Sequence, residues 1–148
     1  MGFRRMPREA RGPHAMDEPT LTHDRAILLV DDDPTHRREA GDALCRFGFE
    51  VAVVASGHEA IALMGRQRFA AVLVGVHPTG VDGLGIVREI RQREANRHAR
   101  HQVLIALAAG NFEADRAQAL AAGMDDCIDW PVRAEQVQAA LARHRAND

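Results

Sequence analysis

The sequence predicts an α/β fold: five parallel strands alternating with five helices, and a site at the carboxyl ends of the strands. Three observations predict it. Ile27-Leu28-Leu29-Val30 is a continuous apolar run, the pattern of a strand buried on both faces, as in a parallel sheet. The run leads into Asp31-Asp32-Asp33-Pro34, which sets carboxylates at the strand tip and a helix-starting proline just beyond. Strand-like and helix-like segments then alternate along the chain. Connections that each contain a helix join parallel neighbours through right-handed crossovers.

Residues 1–24 carry Arg4, Arg5, Arg8 and Arg11 among Pro7, Gly12, Pro13 and Pro19, with no periodicity, and predict a flexible tail. After the first strand, Ala40, Ala43, Leu44 and Phe47 fall at i, i+3, i+4 and i+7, one apolar face of a helix over 34–47. Gly48 stands where helices end. Residues 49–54 read as the second strand. Ser56-Gly57-His58-Glu59 has the form of a capping box and starts a helix expected to stop near Gln67. Residues 69–76 form a valine-rich third strand, followed by a turn-rich loop to Gly83. A helix over 84–93 turns Leu84, Val87 and Ile90 inward and pairs Glu89 with Arg93 at i,i+4. Residues 94–101 read as a polar connection and 103–108 as the fourth strand. A helix over 112–122 closes at Gly123, a short strand covers 126–129, and a last helix over 133–144 buries Val137 and Leu141.

The chain has 148 residues, enough for one domain with a sizeable core. A formal net charge of −2 gives no overall field toward nucleic acid or an anionic membrane. No apolar run approaches the length of a membrane span, and the arginine-bearing amino terminus lacks the apolar core of a secretory signal. The 19 basic residues are all arginine, so no mechanism that needs a lysine ammonium operates from this chain alone. Cys45 and Cys127 form no ligand-spaced cluster and are expected as buried thiols of a reducing cytoplasm.

Several blocks in this order resemble the receiver domain of two-component response regulators over about residues 26–145. They are Ile27 to Pro34, Val81-Asp82-Gly83-Leu84, Leu104-Ile105-Ala106-Leu107, and Ala121-Ala122-Gly123-Met124-Asp125-Asp126 followed by Pro131. The last block, with Arg116 and Leu120 before it, is most similar to receivers of hybrid sensor histidine kinases. The resemblance implies a CheY-like, flavodoxin-like domain over 25–146 with strand order 2-1-3-4-5. In such a receiver an acidic pair holds a divalent cation, and an aspartate after the third strand accepts a phosphoryl group. A hydroxyl after the fourth strand and a lysine after the fifth stabilise its charge. By the same resemblance Asp31 and Asp32 match the acidic pair. Gly75, eight residues before Gly83, stands at the acceptor position and cannot be phosphorylated. Ala108 stands for the hydroxyl, Trp130 for the lysine before Pro131, and Cys127 for the switch aromatic.

The resemblance therefore implies a degenerate receiver, not an enzyme. It would work in the cytoplasm by protein contact without phosphorylation. It would have no cofactor beyond a weak or vestigial magnesium site at Asp31 and Asp32. Its partner would be a histidine kinase, another regulator or a second copy, met through residues 112–145, with no nucleic acid and no membrane. A large Trp130 ring is expected to fold over the space left at Gly75, and Trp130-Pro131 suits a cis peptide. Two alternatives stand beside this reading. Asp31-x-Asp33-x-Thr35 also resembles the nucleophile motif of haloacid-dehalogenase-type phosphatases, with Asp125, Asp126 and Asp129 as further carboxylates for magnesium. Phosphorylation at a non-standard residue, Asp31, Asp32 or His77, is the other. His36 is expected as an exposed first-turn residue. His98 and His101 lie in an arginine-rich stretch without carboxylates at ligand spacing, and that stretch, Arg91 to His101, is a candidate surface for an acidic partner.

Overall fold

A computed structural model describes residues 25–76, 83–108 and 112–145. The expected tail over 1–24 and the loop carrying His77 and Gly80 lie outside the described residues. The elements in order are β1 (Ala26–Val30), α1 (Pro34–Phe47), β2 (Glu50–Val54), α2 (Gly57–Met64) and β3 (Ala71–Val76). They continue with α3 (Gly83–Arg97), β4 (Leu104–Ala108), α4 (Phe112–Ala122), β5 (Asp126–Asp129) and α5 (Ala134–Arg145). The five strands form one sheet in the order β2-β1-β3-β4-β5, and every neighbouring pair is parallel.

Strand alternation divides the core into two layers. Leu28, Val30, Val72, Val74, Leu104 and Ala106 pack under α2, α3 and α4 with Val87, Ile90 and Ala119. Ile27, Leu29, Leu73, Ile105, Leu107 and Ile128 pack under α1 and α5 with Leu44, Val137 and Leu141. Both faces of the central strands are covered, which is why they read as unbroken apolar runs. A fully buried leucine such as Leu44 contributes about 2 kcal/mol by transfer from water alone.

The sequence placed most boundaries within two residues of where they fall (β3, for one, starts at Ala71 rather than 69), and the larger differences have causes. The end of α1 is set by Gly48 at φ 111°, a left-handed conformation that glycine adopts without penalty. Ser56 and Glu59 form a variant of the predicted capping box: the Ser56 hydroxyl accepts from the Glu59 N–H, while Glu59 Oε1 accepts from the Ala55 N–H, one residue before the cap, and from the Ser56 hydroxyl. α2 ends at Met64, short of Gln67, where Gly65 begins a turn. α3 opens at Gly83 itself and runs to Arg97, so residues 94–97 are helix rather than connection. No glycine or proline interrupts residues 86–98, and the helix stops only where His98 takes φ 50°. Within α3, Ile86 is buried while Leu84 is half-buried. The Glu89–Arg93 pair forms at 3.0 Å.

Candidate functional site

The carboxyl edge of the sheet is built from the residues that follow β1, β3, β4 and β5. Asp31 comes directly after β1 and is 1% exposed. Its backbone N–H continues the ladder to the Val54 carbonyl at 3.2 Å. One carboxylate oxygen accepts from the Asp33 N–H at 2.9 Å; the other lies 3.4 Å from His36 Nδ1. Arg37 donates to the Asp31 carbonyl at 2.8 Å. Asp32, by contrast, is exposed. Asp33 caps α1, its Oδ1 accepting from the Thr35 and His36 N–H groups at 2.8 and 3.3 Å. A capping carboxylate satisfies orphan donors of the first helical turn, so Asp33 has a structural task at the position the phosphatase reading needs for an acid/base group.

Gly75 lies within β3, opposite Leu107. It follows Val74, the residue paired with Val30 of β1, just as Asp31 follows Val30. Strand alternation sets both positions on the α1/α5 side, in step with Leu29 and Leu73. Ala108 ends β4 opposite Asp129 and is fully buried on the other side. Its carbonyl accepts from the Trp130 N–H at 3.2 Å. The Trp130-Pro131 peptide is cis. Trp130 packs against the α1/α5 layer, and its ring meets that of His36 with centroids 4.5 Å apart. Asp31, His36 and Trp130 thus form a chain of contacts from the β1 tip to the β5 tip. The indole Nε1 is buried and has no hydrogen-bond partner among the described residues. His36 is therefore half-buried rather than exposed, because the cap at Asp33 turns the first helical turn toward β5.

Cys127 is buried on β5. Burial pushes its thiol up to about 11, and the carboxylates of Asp115 and Asp126 push the same way against the nearby Arg116, which leaves it protonated and unreactive at neutral pH. Cys45 is half-buried rather than buried. Among the described residues no group of three histidine, cysteine or carboxylate side chains could hold a metal ion. Magnesium prefers an octahedral oxygen shell. Here one carboxylate is turned into the fold, its neighbour faces water, and Gly75 supplies none, so the described side chains do not fit a complete magnesium cradle.

Sequence spacing missed a polar cluster at the opposite, entry edge of the sheet. Asp125 accepts from Arg91 and from the Leu104 N–H, both at 2.9 Å, and lies 2.7 Å from His101 Nε2. Arg91 also bonds Glu94, the Gln102 carbonyl and the Gly123 carbonyl. His101 does have carboxylate neighbours: Asp125, which the fold brings from distant sequence, and Glu94 of its own stretch at 4.0 Å. Asp126, next along, is held by Arg143 and His144. Burial raises its pKa, but hydrogen bonds from Arg143, the Cys127 N–H and His144 outweigh that and hold it below the ordinary 3.8.

A parallel sheet in the order 2-1-3-4-5, with a buried acidic residue at the tip of β1, defines the doubly wound α/β class, whose ligand sites lie at the carboxyl ends of the strands. Comparison with known proteins narrows the class. The response regulator receiver domain matches residues 27–142, and the chain belongs to that family. It is 29% identical over 157 residues to Histidine kinase 3 of Arabidopsis thaliana, covering 94% of this chain and 15% of the relative. It is 31% identical over 111 residues to the sensor protein GacS of Pseudomonas syringae pv. syringae, covering 75% of this chain and 12% of the relative. The chain thus spans a small part of these relatives. Among solved structures, the receiver domain of the sensor histidine kinase PA1611 from Pseudomonas aeruginosa PAO1, with a magnesium ion in its active-site cleft, is 34% identical. That match has a TM-score of 0.66 and covers 80% of this chain and 95% of that one. No described helix is long and apolar enough to cross a membrane.

Proposed function

We propose that this chain is a degenerate receiver of two-component phosphorelay signalling that acts through protein contact without being phosphorylated. The observation that carries the reading is Gly75. At the family's acceptor position, beside Asp31 in the sheet, it offers no carboxylate to attack phosphorus. Ala108 and Trp130 remove the hydroxyl and the ammonium that would stabilise a phosphoryl group, so positioning and charge neutralisation, the main sources of catalysis in phosphoryl transfer, are lost together. Asp31 and Asp32 retain at most a weak magnesium site. Cys127 stands where the switch aromatic would be.

The contact surface in this reading is residues 112–145. Two features support it. Among the described side chains of α4 only Ala119 is buried, so nearly the whole helix faces outward. Leu120 on it is an exposed large apolar residue. The partner is a histidine kinase, another regulator or a second copy of the chain, and the similarity to receivers within hybrid kinases favours the first. A ligand or partner that shifts such a domain must bind two of its conformations with different affinity.

The test is intact mass after incubation with acetyl phosphate and magnesium, with turnover of a generic aryl phosphate followed in parallel. The expected result is unmodified mass and no turnover. A stable adduct of one phosphoryl group would overturn the reading in favour of phosphorylation at Asp31, Asp32 or His77. Turnover abolished by Asp31→Asn would replace it with the phosphatase alternative.

A further inference from the structure

A groove of about 340 Å³ opens between the ends of α2 and α3, on the layer opposite α1 and α5 and well away from the carboxyl edge. It exists because α2 stops early at Met64 and α3 continues to Arg97 before His98 turns the chain back. Ile61, Met64 and Ile90 line it with aliphatic surface, Arg68 lies on one bank, and Arg97 and Arg100 lie on the other. Glu94 is the only carboxylate among the lining residues, and it is taken by Arg91 and the Gln102 N–H. Arg93 is paired with Glu89. Arg68, Arg97 and Arg100 enter no ion pair among the described residues and are exposed.

Three unpaired guanidinium groups over an apolar floor define the chemistry of an occupant. Guanidinium binds carboxylate in a planar, two-bond geometry. The floor holds no aromatic ring on which a base could stack, as binding of a single-stranded nucleic acid would call for. The charges stand on both banks of an open groove rather than converging on one point, so they suit an extended anionic chain better than a small ion. The size lies at the lower end of ligand sites and fits one or two aliphatic side chains.

We propose that this groove docks an acidic peptide segment of a partner protein, with carboxylates on both sides of an aliphatic anchor residue. The site is distinct from the 112–145 surface and goes beyond the function proposed above. Its charges lie at the rim, so they steer association and make it salt-dependent, while the aliphatic anchor fixes the position.

The full chain is titrated against a fluorescein-labelled octapeptide of sequence Asp-Glu-Leu-Leu-Asp-Glu-Leu-Glu, and anisotropy is read at low and physiological salt. The expected result is saturable binding that weakens with salt. Arg97→Gln with Arg100→Gln, both exposed, should reduce affinity about tenfold or more. A peptide with serine in place of each leucine should lose a similar factor. Absence of saturable binding overturns the proposal, as does equal binding by the serine peptide or by the double variant. Tighter binding of a single-stranded oligonucleotide overturns it in favour of nucleic acid. Self-association in sedimentation that disappears in the double variant overturns it in favour of a second copy. Folding of each variant is checked by circular dichroism, and Arg68→Gln gives an independent single change on the other bank.

Discussion

At the entry edge of the sheet, Asp125 ties together α3, the first residue of β4 and the segment before it through Arg91, the Leu104 N–H and His101. At the carboxyl edge, the contacts of the Asp31 and Asp33 carboxylates among the described residues come from their own turn: the Asp33, Thr35 and His36 N–H groups and the His36 ring. The first arrangement fixes how distant segments meet. The second finishes a strand and starts a helix. Residues at the carboxyl edge can therefore change without undoing the sheet, and the proposed reading, in which acceptor, hydroxyl and lysine are lost while the fold is kept, needs that freedom. Residues of the entry edge have no such freedom.

The largest effect that would break this contrast is at Asp125. Asp125→Ala strands the partly buried Leu104 N–H and takes from Arg91 the partner of its Nη2, while Glu94 and the Gln102 and Gly123 carbonyls stay bonded to it, and it should cost about 3 kcal/mol in urea unfolding. A loss below about 1 kcal/mol would mean that the cluster is a surface ornament. Asp33→Ala removes the cap of α1 and should cost about 1 kcal/mol in the same assay. Asp31→Asn comes next. It keeps an acceptor for the Asp33 N–H and removes a buried charge, so stability should change by less than about 1 kcal/mol in either direction. A loss as large as that of Asp125→Ala would erase the difference between the edges.

A smaller effect is expected at Asp126 and is visible in its pH dependence. Its folded-state pKa lies below the ordinary 3.8, so the charged form is favoured by folding. The resulting stability is present above 3.8 and is lost as pH falls through the depressed folded value. Asp126→Asn should therefore be less stable than the parent at neutral pH, with a gap that closes under acid. A gap independent of pH would assign the effect to packing instead.

The elements with local punctuation were legible in the sequence. α1 between the Asp33 cap and Gly48, and α4 before Gly123, were bounded correctly because the residues that stop them act within one turn. α3 was underestimated because its stop is a histidine in a left-handed conformation, imposed by the path of the chain into β4 rather than by residue type. The strand tips were also legible, since Asp31, Gly75, Ala108 and Trp130 each sit at or next to the end of an apolar run. What the sequence could not convey was tertiary company. His36 reaches Trp130 only because β5 ends opposite the start of α1, and His101 meets Asp125 only because β4 and β5 begin side by side.

The central claim is that the carboxyl edge no longer forms a phosphoryl site. Trp130 is the single tryptophan and touches the ring that contacts Asp31, so its fluorescence reports on that edge. The decisive measurement is Trp130 emission during titration with millimolar magnesium, followed by beryllium fluoride as a phosphoryl mimic. The account predicts a flat response to both. A saturable change that needs magnesium and the mimic together, and that disappears in Asp31→Asn, would contradict it.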